Sequence, residues 1–235
     1  MLKSLAQYEA QILQESLQNN EDIIANVEDL ITLLTDVVIS DDERALSFYF
    51  LSSQVRNDLI LCLLSSLRNH ETQSKLMKRQ AIEKACLTTY ALIEPDIDEF
   101  LGHDENGAKP IVKTLQRSFK YIDVEFPDHS KRLKQTKDMI NNFYAHGNMF
   151  ISLRNEEYYN FFDKQDSFMQ RTLIWEIGDL ACVIFDLWYR AAGKSEYVSQ
   201  NEQSFSQFVQ AVAISEKYRE GFVNHERFAK WRQKV

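Results

Sequence analysis

SFMQRTLIWEIGDLACVIFDLWYRAAG, residues 167 to 193, has the pattern of a helix that must be surrounded by its neighbours. Leu173, Ile177, Leu180, Ile184 and Leu187 recur at steps of four and three. Ile174, Ala181, Phe185 and Trp188 run beside them, so apolar side chains cover most of the circumference. The polar remainder is a narrow stripe, Glu176, Asp179, Asp186 and Arg190, interrupted by Val183, and it is expected to face water or a partner. Ser167 with Gln170 three residues on has the form of a capping box, and Arg190 and Gly193 supply the cation and the left-handed residue that close a helix.

The totals agree with a helical protein. A chain of 235 residues can bury a large core as one helical domain, with or without a small appendage. Gly 6 and Pro 3 are far below the usual ~7% and ~5%, which leaves little punctuation for the tight turns of a sheet. A hydrophobic content of 44% with 12% aromatic residues excludes disorder. The longest charge-free apolar run in the central segment, Leu180 to Phe185, falls well short of the ~20 residues that span a bilayer, so no membrane partner is expected. The opening MLKSLAQYEAQILQ puts Glu9 and polar residues where a signal peptide needs an unbroken apolar run, and a cytoplasmic protein is expected. Cys62, Cys86 and Cys182 sit at apolar positions of helical patterns without CxxC spacing, as buried thiols do in a reducing compartment. The net charge of −8 is concentrated at the start, where residues 1–50 carry ten acidic residues against Lys3 and Arg44.

Before the central segment the helical period recurs several times. Leu5, Ile12, Leu13 and Leu17, then Ile23, Ile24, Val27, Leu30, Ile31 and Leu34 after Asn19 and Asn20, predict two antiparallel helices or one bent one. Ser40, Asp41, Asp42 and Glu43 read as a capping box opening a long helix through Leu46, Phe50, Leu59, Leu63 and Leu67. Arg68 to His70 make a connector, Leu76 to Ile93 a further helix stopped by Pro95, and Gly102 to Pro110 a loop. Ile111, Val112, Leu115 and Phe119 turn inward on the next helix, and Asp128 or Ser130 caps another that ends at His146 and Gly147. Residues 148–162 are aromatic without a period, with a short strand pair at 149–153. A polar linker is expected at 194–203, followed by two shorter helices at 204–218 and 224–231.

Candidate chemistry is sparse. Asp138, Asn142 and His146 follow at steps of four on the face opposite the apolar one, although a histidine in a last helical turn is also favoured by the helix dipole. Lys113, Arg117 and Lys120, with Lys109, share one helix face, and Lys131, Lys134 and Lys137 follow; phosphate binding needs such a stripe, while a pI of about 5.2 opposes it. Arg227, Lys230, Arg232 and Lys234 around Phe228 and Trp231 form a basic, aromatic end. His103 and Asp104 with His70 have the order of a metal-dependent phosphohydrolase dyad but lie in a turn rather than inside an apolar helix. No phosphate-binding, dinucleotide-binding or serine-nucleophile motif occurs, nor a Glu-x-x-His pair for a di-metal bundle.

The runs KDMINNFYAHGN and LMKRQAIEKACLTTYAL resemble the helical core of HEPN-type domains, in which a helix ends in an aromatic, a small residue and His followed by Gly or Pro. The resemblance covers about 41–192. HEPN ribonucleases carry an Arg, usually followed by a polar residue, with four to six residues between it and their His, and here Met139, Ile140 and Asn141 stand there instead. The cation that would stabilise phosphorane-like charge is therefore missing beside His146. Arg219 to His225 has the bare spacing but lies outside the resembling region. The resemblance thus implies a bundle without nuclease chemistry, of the kind that acts as a binding partner in toxin–antitoxin or phage-defence systems.

The expected architecture is an all-α bundle of about seven to nine helices around the long helix 167–192. Acidic N-terminal helices (1–39) pack on a HEPN-like core (40–193), and a helical extension (194–235) follows. The expected function is a non-catalytic interaction protein of a bacterial cytosol, engaging a protein partner or forming a homodimer, with no cofactor and no metal. RNA binding or cleavage through His146, Asn142 and the Lys113, Arg117, Lys120 face is the competing expectation.

Overall fold

The chain opens with two helices, α1 (Leu2–Asn19) and α2 (Glu21–Leu33), in the computed structural model, which describes residues 2–101, 103–104, 107–108, 111–145 and 166–226. Asn20 separates them. Its side-chain amide donates to Ser16 O (2.8 Å) and to Gln170 Oε1 (3.0 Å), capturing a carbonyl that a continuous helix would have used. A short strand β1 (Val38–Ile39) follows, and then α3 (Leu46–Leu67). The acidic run before α3 marks its start as expected, but the capping residue is Asp42. Its carboxylate accepts from Arg44 N (2.9 Å) above a 3₁₀ turn at Glu43–Ala45, while the Ser40 hydroxyl donates to Tyr197 O.

Helices α3 and α4 (Glu71–Tyr90) form a tight hairpin. Asn69 takes the left-handed conformation (φ 59°), with Asn69 N donating to Ser66 O and His70 N to Ser65 O, which together make a Schellman turn. The facing surfaces carry Cys62, Ser66 and Ser74, small enough for close approach, and the Ser66 and Ser74 hydroxyls meet at 2.7 Å. Next come α5 (Asp98–Leu101) and a two-residue antiparallel pair, β2 (His103–Asp104) with β3 (Gly107–Ala108), where a plain loop was expected. Helix α6 (Val112–Glu125) leads into α7 (Pro127–Ile140), which continues into one π turn at Asn141–Ala145. Neither Asp128 nor Ser130 caps α7. Pro127, preset for helical φ, takes the first position, and the Ser130 hydroxyl donates to Asp123 instead.

The central segment forms α8 (Ser167–Ala192), with Leu173, Ile174, Ile177, Leu180, Ala181, Ile184, Phe185, Leu187 and Trp188 all buried. Its termini differ from expectation. Asp166, not Ser167, accepts from Met169 N (2.9 Å), because Gln170 is occupied in the core, donating to Ser16 Oγ and Asn69 Oδ1. Gly193 is right-handed (φ −65°) rather than left-handed; its small size admits the Gln200 amide, which donates to Tyr189 O and would lie 3.2 Å from an added Cβ.

The segment after α8 is no loose linker. Tyr197 and Val198 are buried, the Tyr197 hydroxyl donates to Ala91 O (2.6 Å), and β4 (Ser199–Gln200) pairs antiparallel with β1. Asn201 then caps α9 (Glu202–Val223), a single helix that runs past the expected end at 218. The expected helix 224–231 and the aromatic stretch 148–162 fall largely or wholly outside the described residues. Nine α-helices are thus present among the described residues, an all-α bundle of the expected size. α8 packs most extensively on α2, then on α3 and α9. Gly178 is where α2 comes closest: a Cβ there would stand 2.9 Å from Val27 Cγ2. Gly178→Ala is therefore expected to cost ~1–3 kcal/mol of stability by overpacking, despite alanine's better helix propensity, as urea unfolding would read.

Candidate functional site

Three helices leave one sizeable groove between them. From α8 it takes Trp175, Asp179, Cys182, Val183 and Asp186, and from α9 Phe208, Val212, Ser215, Glu216 and Arg219. The two sets have the same spacing, so each is a single helix face about three turns long. Asp128, His129 and Arg132 of α7 form the third wall, and the groove encloses about 590 Å³.

Ion pairs line its rim. His129 Nε2 lies 2.7 Å from Asp186 Oδ2, which also accepts from Arg190 Nε at 2.9 Å. Burial pushes the Asp186 carboxyl up, but the bonds from His129 and Arg190 outweigh it and hold the group below the usual carboxylate range. Arg132 donates to both oxygens of Asp179 (3.0 and 3.1 Å), and Arg219 to Glu216 (2.9 Å). The floor is apolar. Phe208 stacks on Phe185 with ring centres 4.1 Å apart, Trp175 leans on Phe222, and among the described residues the buried Trp175 indole N–H meets no acceptor. Burial raises the Cys182 thiol in the groove's wall to about 12, which keeps it protonated near neutral pH.

Arg132, Asp179 and Val183 also border a smaller space shared with Lys78 and Glu176. There Glu176 Oε2 accepts from two buried lysines, Lys75 at 2.6 Å and Lys78 at 3.1 Å. Burial raises the Glu176 carboxyl, yet the ammonium groups of Lys78 and Lys75 overcome this and bring it down to about 2. The polar stripe of α8 is therefore not turned to bare water: Glu176 is answered by α4, and Asp179 and Asp186 by α7.

The residues singled out from sequence fare differently. Asn142 is exposed in the π turn, while His146, its expected companion, lies outside the described residues. Lys113, Arg117 and Lys120 share an exposed face of α6 as predicted. That face is less cationic than it reads, because Arg117 binds Glu99 (2.7 Å), and of the lysines that follow on α7 Lys134 binds Asp123 (2.6 Å) and Lys137 binds Glu83 (2.9 Å). His70 closes the α3–α4 turn with its Nε2 3.5 Å from Glu9, far from any metal-holding geometry, and no group of three or more metal-ligating side chains occurs among the described residues. Arg219 turns toward Glu216 and the groove, whereas the His225 ring lies on Phe168, 3.9 Å between centres. The basic end at 227–234 is outside the described residues.

His129 and Arg132 were not found from sequence. They sit one turn apart on a helix read for its apolar side, and only Asp179 and Asp186, noted as an unexplained stripe, pointed toward them. Compared with known protein families, curated proteins and solved structures, the chain matches none.

Proposed function

We propose that this chain is a non-catalytic, HEPN-like interaction protein of the bacterial cytosol, of the kind that serves toxin–antitoxin or phage-defence systems, and that it engages its protein partner through the groove between α7, α8 and α9. One observation carries the reading. The groove joins an apolar floor of Trp175, Val183, Phe208 and Val212 to a rim on which Arg132 and Arg219 are each already bound to a carboxylate of the chain, as is Arg190 behind Asp186. A polyanion would have to displace those carboxylates before meeting a cation, whereas an apolar protein surface needs only to displace water. A concave, mostly apolar cleft with a few placed polar groups is also the usual form of a binding site.

The competing RNA reading makes a different prediction. A fluorescently labelled single-stranded RNA, titrated with the full chain, is expected to show no binding tighter than about 10⁻⁴ M at physiological salt, the weak end of non-specific association. Tighter binding that falls steeply with salt, with a slope reduced by about one in Arg117→Ala, would assign the α6 face to phosphate and overturn the interaction reading.

A further inference from the structure

Helix α3 turns an uncharged face to solvent. Its exposed residues are Leu46, Phe50, Ser53, Gln54, Asn57 and Leu61, all on one side of the helix. Phe50 is 63% exposed, Leu61 49% and Leu46 45%. The charged residues of α3 are Arg56 and Asp58 alone; neither is exposed, and Asp58 is paired with Lys84 at 2.7 Å. A helix that is apolar on every side is ordinarily covered on every side, and a solvated helix face ordinarily carries charge. The exposed residues of α1, α2, α6, α7 and α9 do include such charges, among them Lys3, Glu21, Lys113, Lys131 and Lys217. The α3 face is also symmetric. Its residues follow at steps of four, three, one, three and four, a series that reads the same from either end. A half-turn about a point between Ser53 and Gln54 therefore exchanges Leu46 with Leu61 and Phe50 with Asn57.

We propose that two copies of the chain meet on this face, α3 antiparallel to α3, about a two-fold axis that passes between Ser53 and Gln54. A two-fold contact needs a surface complementary to itself, each residue meeting on the partner the one that meets it in return. Leu46 then lies against the partner's Leu61 at both ends, and the Phe50 ring enters beside the partner's Asn57. At the axis Ser53 faces the partner's Gln54. The Ser53 hydroxyl donates to Tyr49 O within its own helix, which leaves its oxygen to accept from that amide. Hydroxyl and amide groups both donate and accept, so they can pair with their own copies, as charges of one sign cannot. Two chains of net charge −8 repel each other, and an uncharged face is where they can approach at least cost. From Leu46 to Leu61 the helix runs about 22 Å. One helix pair of that length covers less than the ~800 Å² per partner of a standard interface, so a dimer dissociating in the micromolar range is expected. The groove between α7, α8 and α9 takes no part in this contact.

Sedimentation equilibrium of the full chain, from low to high micromolar concentration, tests this. A monomer–dimer equilibrium is expected, and it should tighten from low to physiological salt as the self-repulsion of the two acidic chains is screened. Phe50→Glu, at a position exposed in the single chain, should weaken the dimer roughly tenfold or more while the circular dichroism stays native. Cysteine linking reads the register. Leu46→Cys and Leu61→Cys chains, oxidised as a mixture, should give a disulfide-linked mixed dimer, and either variant alone little of any linked product, the native Cys62 and Cys86 being buried. A chain that stays monomeric at every concentration overturns the proposal and leaves the face to a different protein. A dimer indifferent to Phe50→Glu has its interface elsewhere and overturns it as well. Linking of either cysteine variant alone as fast as in the mixture would overturn the antiparallel two-fold.

Discussion

Trp188→Ala is expected to lower the stability of the protein by ~3–5 kcal/mol, the cost of removing a large aromatic side chain from a core that cannot collapse around the void. Trp188 has no exposed surface, packs edge-on against Phe48 with ring centres 5.4 Å apart, and donates its indole N–H to Ala85 O at 3.1 Å. It therefore ties α8 to α3 and α4 together, and Ala85 O, which also accepts from the Thr89 hydroxyl, would lose one of its donors as well as its neighbour. Trp188→Phe separates the two effects: it keeps much of the volume, removes the indole donor from a carbonyl that the Thr89 hydroxyl still satisfies, and should cost ~1–3 kcal/mol. Guanidinium unfolding of the three proteins reads the difference. A loss below about 1 kcal/mol for the alanine variant would mean that α8 is not the centre on which the bundle is built.

Glu176→Gln is expected to be as damaging at neutral pH, ~3–5 kcal/mol, because it leaves two buried ammonium groups facing a neutral amide. Lys75 and Lys78 are 4% and 5% exposed, so water, which reaches the cluster only past the partly exposed Glu176, replaces the lost carboxylate poorly. Lys75→Met should cost less than Glu176→Gln, since Lys78 and Glu176 remain a matched pair at 3.1 Å. The same cluster sets an acid limb. The Glu176 carboxyl is lowered from 4.5 to about 2 in the folded protein, so its contribution is complete above about pH 4.5 and is lost as the pH falls toward 2. Over that window the wild type should lose ~3 kcal/mol from this group alone. Glu176→Gln, already lacking it, should show a correspondingly flatter decline between pH 4.5 and 2. Parallel acid limbs in the two proteins would show that the carboxylate is not held by the lysines.

Much of the architecture was readable in one dimension. The apolar steps through Leu173 to Trp188 place every one of those side chains inside, the double asparagine at 19 and 20 coincides with the break between α1 and α2, and the acidic run at 41–43 marks the entry to α3. The helix ends were read less well. Ser167 and Gln170 match a capping box in form, but Gln170 spends its amide on Ser16 and Asn69, and Asp166 takes over the cap. Tyr197 and Val198 were too few to show a period within a polar stretch, and the strand they precede pairs with residues near 38, a contact no local pattern records.

Helix existence, and which face of each helix is greasy, follow from the chain alone because the repeat of 3.6 residues is a local property that side chains three and four apart express by themselves. Which polar groups meet is another matter. Glu176 finds Lys75 across 101 positions and Asp186 finds His129 across 57, and the groove exists only because α7, α8 and α9 diverge at one side of the bundle. Those encounters depend on how whole helices rotate and cross once their apolar faces are buried, and a sequence read helix by helix holds the charges but not their partners.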